Sequence, residues 1–390
     1  MTAAQEHVLL VAGHDAAYQH YLGLPFRFTV VQRHGSVGVN IRSLTEHIVE
    51  VPSLERETIH AVAKAIHASA PLDFVFTFDE ELSPHVASLA ELFGVAGPTL
   101  DAVVACVDKV RMRQVLAGSE FEVEFMLCPS LDDARTFLTK HPNGIVLKVV
   151  NGSGSRDVYH VVDEIQLEAA YRVFVQCGEV PLAEEFIHGR QISAETITLR
   201  EYHELIAITG TTLRPGTLIP EQHVIPAPGV NKLQAEAIAG FCSRLLTRIG
   251  HKHGPCHIEL KLTAAGPRLV EINNRVGGNF IGMLTRLVTG VNLHRETVQY
   301  FAAGVPSAAE RASRIQYRVG ACRSFFGAIR ASEVARILAP TDVLRLHLTE
   351  DLPEVGLIRS TDDRLGPAVF ASNDTMTFEA VLTALDRVAP

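Results

Sequence analysis

Two glutamates set to face each other across a short hairpin constrain this chain more than any other feature. The segment His257-Ile258-Glu259-Leu260-Lys261-Leu262 runs into a turn near Ala264-Ala265-Gly266. It returns as Arg268-Leu269-Val270-Glu271-Ile272-Asn273-Asn274-Arg275. Side chains alternate between the two faces of a strand. His257, Glu259 and Lys261 therefore share one face, and Ile258, Leu260 and Leu262 the other. On the return strand Glu271, Asn273 and Arg275 share a face, opposite Val270 and Ile272. A turn centred on Ala265 sets Glu259 across from Glu271, with Cβ atoms about 5 Å apart. Like charges so placed destabilise a sheet unless something neutralises them. A divalent cation does so, and two carboxylates with an amide and phosphate oxygens suit Mg²⁺. Arg275 adds a guanidinium that can hold a phosphate or carboxylate bidentately. By itself the hairpin is equally compatible with an exposed face whose charges Lys261 and Arg275 balance.

A second signal lies upstream. Lys148 sits within Ile145-Val146-Leu147-Lys148-Val149-Val150, the form of a buried strand. A buried lysine needs an anion, and a phosphate is the natural one. The loop Asn151-Gly152-Ser153-Gly154-Ser155-Arg156-Asp157-Val158 follows at once. Its glycines let the backbone close over phosphates with N–H donors. The loop is neither a Walker A motif nor a GxGxxG opening a helix, so P-loop and Rossmann readings fail. Asp108-Lys109-Val110-Arg111-Met112-Arg113 places further cations on a helix face.

The rest of the chain frames these motifs. Runs at His7–Ala12, Phe28–Gln32 and Phe74–Phe78, with a helical pattern over Glu55–Ala68, imply an open parallel α/β layer. Thr99 or Asp101 can cap a helix to about Leu116. Strands are expected over Gly144–Val150, Val180–Ile197 with a turn near Gly189, and Leu205–Thr212. An amphipathic helix over Asn231–Ile249 carries Leu233, Ile238, Phe241, Leu245 and Ile249 on its stripe. A helix through Leu284–Phe301 follows the hairpin. Short strands (Tyr317–Phe326, Val343–Leu348) and a last helix, Thr377–Val388, read as a separate C-terminal subdomain. The expected units are residues 1–98, 99–305 (a small lid at about 115–182, a larger part at 183–305) and 306–390.

Net charge is −9 with no basic run, which sets nucleic-acid binding aside. No apolar stretch reaches the ~20 residues of a membrane span. Glu6 before the first apolar run and the lack of a basic n-region do not read as a signal peptide. Six cysteines without a CxxC pair suit reduced thiols, so the expected compartment is the cytoplasm.

The order DKVRMR, LKVVNGSGSRDV, EEFIHG, HIELKL and VEINNRVGG resembles the ATP-grasp superfamily, in the biotin carboxylase-related branch that includes L-amino-acid (dipeptide) ligases. The E-x-N-x-R ending, twelve residues beyond Glu259, is similar to that family's Mg²⁺ motif. The resemblance implies an α/β and α+β multidomain ATP-grasp fold, with an N-terminal open parallel α/β domain and a C-terminal subdomain. It implies ATP and Mg²⁺ as cofactors, with Mn²⁺ able to substitute. Lys109 and Lys148 would contact ATP phosphates, and Gly152, Ser153, Gly154 and Ser155 would close over them. Glu184 would accept from the adenine amino group and the backbone at Ile187 would bond the ring, with Glu185 and Phe186 beside it. Gln191 stands near the place of a ribose-binding Glu in relatives. Glu259, Glu271 and Asn273 would carry the metal, and Arg275 the substrate carboxylate or its acyl phosphate. The Gly277-Gly278 pair, in place of a biotin carboxylase R-I-Q-V-E-H run, resembles amino-acid ligases, where backbone amides cradle the acyl oxygen.

The implied reaction joins a small-molecule carboxylate and an amine through an acyl phosphate; relatives are often dimers, so a homodimer is one of the states open to this chain. Bicarbonate- or formate-activating chemistry of purine type, and a nucleotide-binding sensor without catalysis, stand as alternatives. Three further residues are candidates for substrate contact. Glu80 follows the third N-terminal strand, where open α/β sheets bind ligands, or simply favours a helix N-terminus. Glu221 and His223 lie in the Pro-bounded loop Pro220–Pro226, which reads equally as surface. His251, His253 and His257 around Cys256 do not carry a zinc site, because a helix end and a strand start spread them apart.

Overall fold

The N-terminal apolar runs pair as a parallel sheet. In the computed structural model, residues 5–388 are described apart from 153, 305, 327–328, 347, 349–359 and 365, with 301–303 as backbone alone. Strands β1 (His7–Val11), β2 (Arg27–Arg33), β3 (Ile48–Val51) and β4 (Phe74–Thr77) lie in the order β3-β2-β1-β4, all parallel. Val8 and Leu10 pack with Tyr18, Tyr21 and Phe28 on one side, while Leu9 and Val11 pack with Ile59 and Val86 on the other. Burial on both faces is why β1 reads as a continuous apolar run without alternation.

A second, antiparallel sheet holds β5 (Phe125–Leu127), β6 (Ile145–Lys148), β7 (Tyr159–Val161) and β8 (Leu182–Glu185), in the order β5-β8-β6-β7. Helices Leu131–Lys140 and Glu164–Cys177, absent from the sequence reading, build its core with Ile145 and Leu147. Each starts at a legible cap. Ser130 forms a capping box with Asp133, and Asp163 accepts from the Gln166 backbone N–H.

The third sheet contains β9 (Arg190–Leu199), β10 (Tyr202–Leu213), β11 (Pro220–Ile225), β12 (His253–Thr263), β13 (Gly266–Asn273), β14 (Val319–Phe325), β15 (Asp342–Leu346) and β16 (Gly366–Ser372). It runs antiparallel in the order β13-β12-β9-β10-β11-β14-β16-β15. Helix Lys232–Arg248 lies on it, setting Ile238, Phe241 and Leu245 against Ile192, Ile258 and Leu260.

Several elements differ from the sequence reading. The helix expected to run to Leu116 is two, Leu100–Val107 and Lys109–Leu116. Asp108 between them is extended, and its carboxylate accepts from the Arg111 N–H as the cap of the second. The helix expected over Leu284–Phe301 is also two, Ile281–Thr289 and Leu293–Ala303, parted at Gly290 with φ +75°. Leu233 is 77% exposed, so the buried stripe of its helix begins at Ile238. Of the expected loop, Pro220–Ile225 is the strand β11 between β10 and β14, buried from Glu221 on, and only Pro226 is exposed. Through that strand β14, β15 and β16 continue the third sheet, so the change of texture near Pro306 marks no break in it.

Candidate active site

Glu259 and Glu271 are cross-strand partners. The route to that register is not a turn centred on Ala265. The turn joins Thr263 to Gly266, Leu260 pairs with Leu269, and a bulge at Val270 then advances the register to Glu259–Glu271. The bulged Val270 carbonyl accepts from Arg113 Nη2 at 2.6 Å.

Cations from three elements meet this pair. Lys109, at the start of its helix, has Nζ 3.1 Å from Glu271 Oε1 and donates to the Gly152 carbonyl at 2.8 Å. Arg113 stands one helical turn on, on the same face, with Nε and Nη2 on the two Glu184 oxygens at 2.8 and 2.9 Å. Lys148, at the end of β6, has Nζ 2.8 Å from Glu184 Oε2. Glu184 is thus a buried counter-ion whose two oxygens are engaged by Arg113 and Lys148, and it lines the cavity. Burial alone would raise the Glu184 pKa, but Arg113 and Lys148 bring it down to about 2. The Lys148 pKa falls, chiefly through burial and with Arg113 and Lys109 adding to it against Glu184. Three buried cations thus stand against three carboxylates, Glu184, Glu259 and Glu271, and a divalent cation on the facing pair would free positive charge for an incoming anion.

These groups open into a cavity between the second and third sheets. Lys109, Lys148, Glu184, Gln191, Glu259, Glu271, Asn273 and Arg275 line it, with Gly152, Gly154 and Ser155 of the loop. Ser153 lies outside the described residues. Ser155 (φ +54°) and Asp157 (φ +51°) hold the loop in left-handed backbone, strain typical of binding loops. Glu185, Phe186 and Ile187 form the connection between the two sheets at the far end. The Phe186 N–H donates to the Gly144 carbonyl, whereas no acceptor among the described residues meets the Ile187 N–H. Phe186 stacks on His160, and Glu185 pairs with Arg268 at 2.7 Å.

Arg275 Nε lies 2.6 Å from Glu80 Oε2, which ties the hairpin's end to the N-terminal sheet. Glu80 borders a second cleft at the carboxyl ends of β1, β2 and β4, with Gly13, Asp15 and Gln32. Its carboxylate is therefore taken by Arg275 in this state. Of the β11 residues, Glu221 pairs with buried Arg323 (3.4 Å) and does not reach the main cavity. His223 is buried with Nδ1 3.2 Å from the Thr211 hydroxyl and Nε2 3.4 Å from Asn279 Nδ2, and Asn279 also accepts from Arg364.

Beneath the hairpin, Glu195 is fully buried and takes His257 Nδ1 at 3.0 Å, with Ser193 and Thr209 hydroxyls donating to it. Burial opposes charge on His257, but Glu195 and then Glu259 raise its pKa well above the usual histidine range. Gly277 lies on this pair: a Cβ there would stand 2.8 Å from His257 Nδ1 and 2.9 Å from Glu195 Oε2. Asn279 and Phe280, just after Gly278, both have positive φ (48° and 62°).

The residues fit a hard cation. Two facing carboxylates and the buried Asn273 amide are oxygen donors, and no cluster of three or more metal-binding acidic, His or Cys side chains occurs among the described residues. Mg²⁺ is ordinarily held by one or two carboxylates with phosphates completing its shell.

Arg113, Glu195, Asn279 and Thr361 went unassigned in the sequence. Arg113 was accessible through its i, i+4 spacing from Lys109, and Glu195 as a carboxylate within the apolar run of β9. The other two are joined to the site only by tertiary contacts.

Residues 141–283 match the family model of an ATP-grasp domain. An uncharacterized protein, y4rH, of Sinorhizobium fredii is 27% identical over 59% of this chain and 48% of its own length. Carnosine synthase 1 of Gallus gallus is 31% identical over 33% of this chain and 14% of its own. The chain thus spans about half or less of the curated relatives it matches. The crystal structure of an L-amino acid ligase from Bacillus licheniformis superposes with TM-score 0.75 at 20% identity, covering 99% of this chain and 98% of that one, a likeness of fold. Residues 141–283, across the second and third sheets, thus match an ATP-grasp domain, and the chain as a whole is similar in fold to that ligase.

Proposed function

We propose that the chain is an ATP-dependent, ADP-forming carboxylate–amine ligase acting on an amino acid or another small carboxylic acid. The observation that carries this reading is the facing pair Glu259–Glu271 beside the buried cations Lys109, Arg113 and Lys148 at one end of a cavity walled by two sheets. Similarity to a carnosine synthase segment and to an L-amino acid ligase fold supports the amide-forming class.

In this reading Lys109 and Lys148 hold the nucleotide phosphates, and the loop Gly152–Ser155 closes over them. Glu259, Glu271 and Asn273 hold Mg²⁺, which when bound neutralises charge on the transferring phosphoryl group. Arg275 orients the substrate carboxylate for attack on the γ-phosphorus, and the bond to the ADP oxygen breaks. The backbone at Gly277 and Gly278 faces the resulting acyl phosphate. The amine then forms the C–N bond as the C–O bond to phosphate breaks, releasing phosphate and a proton. The protein's part is positioning and charge compensation in a site shielded from water. Arg275 must exchange Glu80 for substrate, so the Glu80 pair is the resting state of the carboxylate site.

The test is incubation with Mg²⁺–ATP and the common amino acids, singly and in pairs, with ADP and phosphate both quantified. Release that requires particular pairs, with a peptide product by mass, is the expected result. Release that requires bicarbonate or formate instead would overturn the amide-forming assignment.

A further inference from the structure

Lys261 is a buried cation that no carboxylate reaches within ion-pair distance; Glu259, two residues back on the same face, acts on it only at longer range. It is 8% exposed and lines the main cavity, yet it makes no ion pair or hydrogen bond with any described residue. Every other buried lysine or arginine at this cavity is paired: Lys109 with Glu271, Lys148 and Arg113 with Glu184. A buried ammonium left unpaired costs folding free energy, so its retention in a cavity wall points to a ligand anion.

Its position says which anion. On β12 it is two residues past Glu259 on the same face, about 7 Å further from the carboxylate pair. It pairs in register with Gln191 of β9, and its Cβ lies 3.2 Å from where a Gly189 Cβ would stand, beside the connection that carries Phe186 and Ile187. A nucleotide with its outer phosphates at Lys109 and Lys148 and its base at Ile187 has its α-phosphate and ribose between. An ammonium offers three donors and no acceptor. It can donate to a ribose hydroxyl oxygen or to a phosphate oxygen, and its charge favours the phosphate. Gln191 already gives one amide hydrogen to Glu259 Oε2 at 3.2 Å, so it is held on the metal side of Lys261.

We infer that Lys261 binds the α-phosphate of the nucleotide, a contact on the wall opposite the glycine loop. The assignment rests on the nucleotide reading of the cavity and extends it to the middle of the ligand. Charge-assisted hydrogen bonds of this kind are worth about 10- to 100-fold in affinity.

Calorimetry with Mg²⁺–ADP, AMP and adenosine on wild type, Lys261→Met and Lys261→Gln separates the cases. The expected result is a loss of about 10- to 100-fold for ADP and AMP with adenosine unchanged, and a ligand-free Tm at or above that of wild type. Unchanged ADP and AMP binding would overturn the inference. So would an equal loss for adenosine, which would put Lys261 on the ribose. A marked fall in the ligand-free Tm of both variants would make Lys261 structural and overturn it too. Wild-type protein that binds no ADP would instead overturn the nucleotide reading itself.

Discussion

At the residue scale, Glu184 carries the largest consequence. It is the shared counter-ion of Arg113 and Lys148, all three buried. Glu184→Gln leaves two buried cations without their carboxylate and is expected to cost about 3–5 kcal/mol, read by urea unfolding at neutral pH. The sign of its pH dependence follows from its pKa, lowered to about 2 from 4.5. Its stabilisation is complete above pH 4.5 and is lost as pH falls through about 2. The gap between wild type and Glu184→Gln should therefore narrow over that interval and stay constant above it. A gap independent of pH would mean that the carboxylate charge is not what stabilises the cluster. Lys148→Ala and Glu271→Gln address the chemistry. Each is expected to lower ATP-dependent ADP release by about a hundredfold or more, with an unchanged circular dichroism spectrum. Near-normal turnover in either would place the phosphates elsewhere.

At the element scale, the segment after β13 illustrates how two adjacent glycines differ. Gly277 has no room for a methyl group, which would press on His257, Glu195 and Ile281. Gly278 has nothing within 4 Å of that position and an ordinary φ. Gly277→Ala is expected to destabilise by about 1–3 kcal/mol through overpacking. Gly278→Ala should stay within about 0.5 kcal/mol. Equal losses would imply that backbone freedom, not the Glu195–His257 contact, selects both. The bulge at Val270 is the other local device. It sets the glutamate pair in register and turns a carbonyl to Arg113, so the hairpin and the helix Lys109–Leu116 are locked together by one irregularity.

At the scale of the whole molecule, the cavity is closed by parts far apart in sequence. The Thr361 N–H and hydroxyl both donate to the Gly154 carbonyl, at 2.9 and 3.1 Å, which binds the glycine loop to the C-terminal part of the chain. Arg364 donates to Asn279 at 2.8 Å and Arg275 pairs with Glu80, so all three sheets border on the site. Thr361→Ala removes one neutral hydrogen bond and should raise protease cleavage within residues 152–156 about fivefold. Saturating Mg²⁺–ADP should erase that difference, because the ligand then holds the loop. Cleavage unaffected by the substitution would mean that the C-terminal contact does not restrain the loop.

Local rules acting over a few residues were legible in the sequence alone. The period of two in β12 and β13 put Glu259, Glu271 and Asn273 on one face, and the apolar runs of β1, β2 and β4 announced a sheet buried on both sides. A lysine inside an apolar strand, followed by glycines, marked the loop that borders the cavity. Tertiary structure decided which opposite charge each buried group meets. Glu184 reads identically whether it faces a nucleobase or Arg113 and Lys148, because the partners lie on a helix 71 residues away and on another strand. Pro220–Ile225 reads as a loop until β14, nearly a hundred residues on, supplies the hydrogen bonds that make it a strand. Lys261 reads as a balanced surface charge until the folding of two sheets over it removes water and leaves it unpaired. Periodicity is a property of neighbours along the chain, whereas charge compensation and desolvation depend on what folding brings together.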